Sequence, residues 1–502
     1  MKISIIGAGI SGIGAAIILK KAGHNVVLYE KSPAIGGVWA LAYPNVQLQN
    51  IGSQYHFSDF PWPHKPELHP TGQQIRDYLQ AAVAHFGLEV HLNTKVKAME
   101  ESANGWQLQL ATPTGTSTAE AEFVISSIGQ YTEGKNRPKL PGEDTFSGEI
   151  ITERDVRDLD DYRDKQVAVV GFGKSALDMA SFTAERGAKV AHVFRTPRWT
   201  IPFKILGIHY THALFSRFGS LLMTSWAHPT GTERWIHRRM TGFVNGFWKS
   251  LSSLFATLAK AKGKGTEAKK RIRTALPDHS LVKDLRSATA LQPVKYFDQV
   301  AAGTILPYRA ELEGFTAQGL KLSTGEEVPA EVVILALGST TPKFPFMPKP
   351  YRQLLEQDYD GVQLYRHLIH PEIPNFAFAG YNHGFMHIPA LEVGMVWLHA
   401  YLSGDLLLPN REAMYETINH VRDWKRAHIH FEPSRLCAIN TRFQQYLDIL
   451  CKELQVSAYR KKNPIAEVFG RYLAKDYQGV YEEYVKAKGK RKEPLQVLPL
   501  HT

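Results

Sequence analysis

The sequence contains very little cysteine. Only Cys437 and Cys451 occur among 502 residues, which is too few for a disulfide scaffold or for a zinc module with four cysteine ligands. No C-x-x-C pair is present, so a thioredoxin-like disulfide relay is excluded as well. Such low usage is compatible with a reducing compartment, and we expect a cytoplasmic protein, with membrane association left open.

Long apolar runs are also missing. No stretch of about eighteen or more apolar residues occurs, so we expect no transmembrane helix. Residues 1–7 lead directly into a strand and a glycine turn, without the apolar region of a signal peptide. With 44% hydrophobic and 21% charged residues, wholesale disorder is excluded. The length fits two or three domains of roughly 100–200 residues each.

Acidic residues are in deficit. There are 48 Asp and Glu against 59 Lys and Arg, and the formal net charge is +11. This excess favours anionic partners without choosing among cofactors, nucleic acid and acidic membranes. No nucleic-acid motif accompanies it, so we expect no nucleic-acid partner. The pairs His367/His370 and His383/His387 lack an H-E-x-x-H pattern, so we expect no metal site.

Two segments of the chain, residues 3–30 and 166–195, repeat one design. Each consists of an apolar strand, a glycine cluster, an alanine-containing helix and a second apolar strand. This pattern is typical of parallel sheets with helices on their faces. The sequence therefore predicts an α/β protein with two Rossmann-like dinucleotide-binding domains. We place the first domain in residues 1–159 and 330–502, and the second, inserted into it, in residues 160–329.

A mainly helical insertion is predicted at residues 200–276, within the second domain. Four of the nine tryptophans lie between residues 199 and 248, and apolar residues from Phe243 to Leu258 recur at helical spacing. The insertion packs onto its parent domain in one interpretation and forms a substrate lid in another. In a third, residues 200–262 contact a membrane peripherally. Homo-oligomerisation stays open as well.

The first glycine cluster is a full G-x-G-x-x-G motif. Gly7 permits a tight turn, Gly9 lets a pyrophosphate approach the backbone, and Gly12 lets the helix pack close to the strand. The helix that starts at Ile10 and Ser11 offers backbone N–H groups and the positive end of its dipole to phosphates. The motif therefore predicts a dinucleotide site.

The ends of the second strands distinguish between cofactors. In the first unit, the residue at the end of the second strand is Glu30. Its carboxylate accepts hydrogen bonds from a ribose 2′-OH and repels a 2′-phosphate, so FAD or NAD is favoured over NADP. In the second unit the strand ends in Arg195 and Thr196, which suit a 2′-phosphate. NADPH is therefore favoured there over NADH, and a surface salt bridge is the alternative role for Arg195.

The second glycine cluster repeats the logic of the first. Gly171 and Gly173 take the first two glycine positions, and Ala176 takes the third small-residue position. Lys174 and Ser175 lie between them, at the predicted start of the helix. Lys174 is either a phosphate contact or a solvated residue at that helix end.

These motifs resemble the class B flavin-dependent monooxygenases, which include flavin-containing, N-hydroxylating and Baeyer–Villiger monooxygenases. The resemblance covers most of the chain and is weakest in residues 200–275 and at the C-terminus. It rests on the two glycine motifs and on further segments in the expected order, which are Glu30 with Gly36 to Trp39, Asn50, Gly129, Leu335 to Gly338, Phe344 to Phe346, Pro374 to Gly380, and Glu392 with Trp397.

The resemblance implies FAD in the first domain, NADPH in the second, and O2 and a small molecule as substrates. Asn50 matches a family asparagine beside flavin and nicotinamide and is the catalytic candidate, with a turn asparagine as the alternative. Reduced flavin is expected to form a C4a-(hydro)peroxyflavin that oxygenates nitrogen or sulfur. Cofactor contacts beyond the glycine motifs are expected at Lys31, Gly37, Val38, Trp39, Gln49, Asn50, Val96 and Gly129.

The sequence also departs from the family pattern. Thr152 stands where a histidine is expected, and Val156 where an aromatic residue is expected. The Lys-Arg pair and aromatic segment of a typical Baeyer–Villiger enzyme have no clear equivalent, which favours heteroatom oxygenation. Baeyer–Villiger oxygenation of a ketone is the alternative. A simple NADPH reductase, or a non-catalytic flavin-binding protein with a membrane or partner surface, is the alternative from another class.

Overall fold

A computed structural model describes residues 1–131, 134–223, 229–285, 289–382, 384–429 and 442–498. Cys437 and His383, both named above, lie outside these residues. The strands are β1 (Lys2–Ile6), β2 (Asn25–Tyr29), β3 (Glu89–His91), β4 (Lys95–Ser102), β5 (Gly105–Thr112), β6 (Gly115–Ala121), β7 (Phe123–Ser126), β8 (Glu149–Thr152), β9 (Gln166–Val170), β10 (Lys189–Phe194), β11 (Thr200–Ile201), β12 (Lys204–Ile205), β13 (Ile208–His209), β14 (Ala290–Leu291), β15 (Ile305–Arg309), β16 (Leu312–Thr316), β17 (Gly319–Leu322), β18 (Glu327–Pro329), β19 (Val332–Leu335), β20 (Phe376–Phe378), β21 (Leu406–Leu407) and β22 (Leu495–Gln496). The helices are α1 (Ile10–Lys21), α2 (Gly72–His85), α3 (Lys174–Glu185), α4 (Tyr210–Leu214), α5 (Arg217–Leu221), α6 (Gly231–Arg239), α7 (Thr241–Lys260), α8 (Thr266–Thr274), α9 (Leu281–Leu285), α10 (Tyr296–Ala302), α11 (Lys349–Glu356), α12 (His387–Leu402), α13 (Arg411–His428), α14 (Phe443–Glu453), α15 (Pro464–Phe469) and α16 (Val480–Lys488).

The first parallel sheet has the strand order β20-β7-β1-β2-β3. Helix α1 lies between this sheet and α12, and both helices are buried along most of their length. Gly14 permits this close approach, because a Cβ there would lie 2.6 Å from Leu391 Cδ2. The apolar runs that predicted β1 and β2 are therefore the centre of a buried layer, as expected for a parallel sheet covered on both faces.

The second parallel sheet has the order β15-β10-β9-β19-β8. Val332, at the start of β19, pairs with Glu149 of β8 on one side and with Val167 of β9 on the other. The prediction that residues from 330 onward return to the first domain is therefore wrong for β19, and β8 also joins the second sheet. A buried apolar strand looks alike in either sheet, so only its pairing decides where it belongs. The chain returns to the first sheet at β20.

The insertion contains α4 to α8, and its helix α7 contributes to two hydrophobic cores. On α7, Val244, Trp248 and Phe255 join the hydrophobic core around the first sheet, while Ala259 joins the core around the second. The buried face of α7 is therefore displaced by one residue from the predicted one, which ran from Phe243 to Leu258. Both Phe243 and Leu258 are exposed, whereas Val244 and Ala259 are buried. In the described part of the chain, no helix combines the length and the hydropathy needed to cross a membrane.

Candidate functional site

A cleft opens at the carboxyl ends of β1, β2, β7 and β20, where ligands bind in open α/β sheets. Each of these strands is followed by a lining residue, among them Gly7, Glu30, Ser127 and Gly380. Most predicted residues of the first cofactor site line this cleft, namely Gly7, Gly9, Ile10, Ser11, Glu30, Lys31, Gly37, Val38, Trp39, Val96 and Gly129. The structure therefore brings together segments that are more than 300 residues apart in the chain.

The first glycine cluster forms a cradle that tolerates no side chains at two of its positions. Gly7 has φ +105°, and a Cβ there would lie 2.5 Å from Ser127 O. A Cβ on Gly12 would lie 2.0 Å from Gly7 O. Gly9 is the N-cap of α1 and has no side chain to satisfy the first N–H groups, which suits an anionic ligand. The cradle fits a dinucleotide pyrophosphate.

Glu30 is held in place at the edge of this cradle. Its buried carboxylate accepts a hydrogen bond from Ala8 N (2.8 Å) and another from Ser32 N (2.9 Å). Each carboxylate oxygen still has acceptor capacity toward the cleft. The predicted contact with a ribose hydroxyl is compatible with this geometry and stays a prediction.

A second helix starts at the same cleft, a feature that the sequence reasoning missed. His387 begins α12, and its Nε2 lies 3.1 Å from Ser11 Oγ. Burial lowers the pKa of His387 to about 4, so the imidazole is neutral near pH 7. The histidine was considered above only as a metal ligand. Its position, seven residues after Gly380, was the signal that it follows the return strand β20 into the cleft.

Asn50 lies next to the cleft and does not line it directly. Its Nδ2 donates a hydrogen bond to Phe385 O, which lies between two residues that do line the cleft, Gly384 and His387. Gln49 faces elsewhere: its Oε1 accepts a hydrogen bond from Leu291 N at 2.9 Å. This contact ties Gln49 to β14, and its expected cofactor contact stays a prediction.

The second cradle is open above the start of α3. Gly171 has φ +123°, and a Cβ there would lie 2.4 Å from Ala336 O. Ala176 is fully buried beneath it. Gly173 is the N-cap of α3, and a Cβ there would meet nothing within 4 Å. This space above a helix N-terminus fits the phosphates of a second dinucleotide.

Lys174, at the start of α3, has a protein partner. Its ammonium forms an ion pair with the buried Asp178 carboxylate, which also accepts a hydrogen bond from Tyr43 OH at 2.8 Å. Ser175 adjoins the same tyrosine hydroxyl. Lys174 is thus paired with a carboxylate rather than freely solvated, and its phosphate contact stays a prediction.

Arg195 and Thr196 follow β10 at the edge of the second sheet. The Arg195 side chain is 79% exposed, and its Nη1 lies 3.7 Å from Glu311 Oε1. Thr196 is half-buried. The surface ion pair named above as the alternative is therefore present, and the exposed guanidinium remains accessible to a ligand.

The two residues that depart from the family pattern, Thr152 and Val156, have ordinary structural roles. Thr152, at the end of β8, donates from Oγ1 to Asp155 Oδ2 at 2.8 Å, and Val156 is buried in the core around the second sheet. Among the described residues, no group of three or more His, Cys, Asp and Glu side chains is arranged to hold a metal ion.

A family described as "Pyridine nucleotide-disulphide oxidoreductase" matches residues 4–204. "Putative flavin-containing monooxygenase 2" of Arabidopsis thaliana is 30% identical over 83% of this chain and 89% of its own length. "Probable flavin-containing monooxygenase 1" of the same plant is 28% identical over 96% and 97%.

Solved structures share the fold. The open crystal structure of cyclohexanone monooxygenase superimposes with a TM-score of 0.68 at 17% identity, over 90% of this chain and 97% of that one. At this identity the likeness concerns the fold alone. The predicted α/β class with two dinucleotide-binding sheets is confirmed.

Proposed function

The chain belongs to the flavin-containing monooxygenases, as its motifs predicted, and we propose that it uses FAD, NADPH and O2 to oxygenate a nitrogen- or sulfur-containing small molecule. The observation that carries the proposal is the single cleft onto which both the first glycine cradle and the start of α12 open. When bound there, FAD supplies hydride acceptance from NADPH and activation of O2. The peroxyflavin named above is part of this proposal.

The residues of the cleft support a flavin nucleotide from two sides. The start of α1, with Gly9 and Ser11, would hold the pyrophosphate. The start of α12, at His387, would stabilise negative charge on a reduced ring, since the N-terminus of a helix carries positive partial charge. Because His387 is neutral near pH 7, it adds hydrogen-bonding capacity at this position without adding a full charge.

The walls of the cleft would limit the access of water to the ring. Trp39 Nε1 donates to Tyr55 OH at 3.1 Å, and the two rings meet edge to face. Arg76 Nη1 donates to Trp39 O at 2.9 Å and fixes the same segment. Exclusion of water matters here, because water in the cleft would favour side reactions over transfer of oxygen to a substrate.

The role proposed for Asn50 follows from its anchoring. Its amide nitrogen donates to Phe385 O, so the amide oxygen is the atom left to accept a hydrogen bond from a bound partner. The loop that carries Asn50 is thereby tied to the segment that begins α12. Asn50 would position the nicotinamide or the substrate, and it transfers no proton itself.

The second cradle would bind NADPH, with Arg195 as the residue that reads the 2′-phosphate. Its guanidinium projects from the end of β10. The start of α3 would bind the pyrophosphate, since the space above Gly173 is open. Because the first cradle favours a ribose with a free 2′-hydroxyl and the second favours a 2′-phosphate, we assign FAD to the first and NADPH to the second.

The decisive experiment is turnover of purified protein with FAD and NADPH in oxygen-labelled O2. A tertiary amine, a thioether and a ketone would be offered separately. We expect a yellow protein and one labelled oxygen atom in the amine or thioether product. Label in an ester from the ketone would instead indicate Baeyer–Villiger oxygenation. NADPH oxidation without labelled product would indicate a reductase, and protein that takes up no FAD would overturn the proposal.

A further inference from the structure

Arg471 is a partly buried cation that has no acidic partner within the described part of the chain. Across the residues that the structure describes, no carboxylate forms an ion pair with its guanidinium, and Nη1 donates to Thr211 Oγ1 at 3.2 Å. Neighbouring arginines differ: Arg217 pairs with Asp448 at 2.6 Å, and Arg460 pairs with Glu483 at 2.8 Å. Arg471 therefore has an unused capacity to bind an anion.

The surroundings of Arg471 add a further cation and a histidine. Burial lowers its pKa, since the guanidinium has lost water without gaining an opposite charge. Lys204 is a cation of the same cluster, since both Arg471 and Lys204 lower the pKa of His209. The exposed His212 side chain also belongs to it, and its pKa is lowered by burial and by the charge of Arg471. A desolvated cation among like charges is unfavourable by itself and becomes favourable when an anion binds.

A chain of hydrogen bonds leads from this cluster to the loop of Asn50. The Thr211 hydroxyl lies 2.9 Å from His209 Nδ1, and His209 Nε2 lies 3.3 Å from His69 Nε2. His69 Nδ1 in turn lies 3.0 Å from Asn50 O. Arg471 is thus connected to Asn50 through three side chains.

One assignment of protons satisfies every hydrogen bond between Arg471 and Asn50. Thr211 Oγ1 accepts from Arg471 and donates to His209 Nδ1, His209 Nε2 donates to His69 Nε2, and His69 Nδ1 donates to Asn50 O. It requires both imidazoles to be neutral. Burial is the main cause that lowers the pKa of both histidines, that of His209 to about 4. Neighbouring basic groups lower these pKa values further: His69, Arg471, His212 and Lys204 lower the pKa of His209, and Lys174 lowers that of His69.

We propose that Arg471, with His212 and Lys204 beside it, binds a carboxylate group of the substrate and that Thr211, His209 and His69 link its occupancy to the position of Asn50. The inference rests on the proposed function and narrows its substrate class to small molecules that carry an anionic group. A carboxylate matches the planar guanidinium, which holds two oxygen atoms at once. The link to Asn50 favours a substrate over a remote part of NADPH.

The test uses FAD-loaded protein and two probes of equal size, pentanoate and pentanamide, titrated by calorimetry. We expect pentanoate to bind more tightly than the neutral amide. Arg471→Gln should weaken pentanoate binding by about tenfold or more, the loss expected for a charge-assisted contact, and should leave pentanamide binding unchanged. The control is Arg273→Gln on α8, an exposed arginine whose removal lowers the net charge equally. Equal affinity for the two probes, or equal behaviour of the two variants, would overturn the proposal.

Histidine NMR tests the link to Asn50. Saturation with pentanoate should raise the pKa of His209 in the unmodified protein and in Thr211→Ser, which keeps the hydroxyl. Thr211→Val, which lacks it, should lose this response while it still binds pentanoate. An equal response in both threonine variants would refute the coupling.

Adenosine 2′,5′-bisphosphate separates the two sources of an anion. If Arg471→Gln weakened its binding and Arg195→Ala did not, the cluster would belong to NADPH, and the substrate assignment would be wrong. These titrations measure binding alone, so they fail independently of the labelled-oxygen experiment. A protein that binds pentanoate at Arg471 and oxygenates nothing would contradict the proposed function only.

Discussion

Replacing Arg195 with alanine tests how the second cradle selects its cofactor. The substitution would remove two contacts of very different strength, the ion pair with Glu311 and the expected contact with the 2′-phosphate of NADPH. The ion pair with Glu311 spans 3.7 Å between side chains that are 79% and 61% exposed, and such surface pairs contribute about 0–1 kcal/mol. Its loss should therefore hardly change the unfolding temperature.

The contact with a 2′-phosphate is expected to contribute more. A hydrogen bond between charged groups stabilises a complex by about 1.5–3 kcal/mol, which corresponds to roughly a 10- to 100-fold change in binding. Arg195→Ala should raise the KM for NADPH by that factor and leave the KM for NADH unchanged, because NADH lacks the phosphate. The assay is steady-state oxidation of each coenzyme at saturating O2 and substrate.

Glu311→Ala is the matched control for this variant. It removes the same ion pair and keeps the guanidinium, so its KM for NADPH should stay equal or fall, as a nearby negative charge is lost. If Arg195→Ala raised the KM of both coenzymes equally, Arg195 would not read the phosphate. If Glu311→Ala reproduced the arginine variant, the ion pair rather than a ligand contact would be the cause.

Three further predictions concern the folded chain. Gly12→Ala places a Cβ 2.0 Å from Gly7 O, so the purified variant should retain far less FAD per chain, measured by absorbance; normal FAD content would contradict the cradle. Burial raises the pKa of Glu392 from 4.5 to about 8, so stability should fall as pH rises between those values, because the unfolded carboxyl ionises first. Thermal melts from pH 5 to 8 should show that slope, Glu392→Gln should remove it, and a slope that persists would refute the assignment. Tyr43→Phe removes a hydrogen bond to Asp178 and should lower the free energy of unfolding by about 1 kcal/mol in urea titrations, and an unchanged midpoint would contradict this.

The sequence by itself determined the two cradles. In the first cradle, contacts between near neighbours are important: Gly12 meets Gly7 within one turn of chain, and Glu30 reaches Ala8 across one strand–helix–strand unit. The steric demand of a tight turn and the charge at a strand end are local properties, so residue types at fixed spacing reveal them. Family membership and the cofactor pair followed from these local features.

The tertiary structure decided everything that depends on distant partners. The apolar strand β19 could have joined either sheet, and only its pairing with β8 and β9 assigned it to the second. The hydrogen-bonded connection from Arg471 to Asn50 includes residues 69, 209 and 471, none of which belongs to a motif. An arginine in a sequence gives no sign of whether it will meet a carboxylate, because that depends on which segments the fold brings beside it.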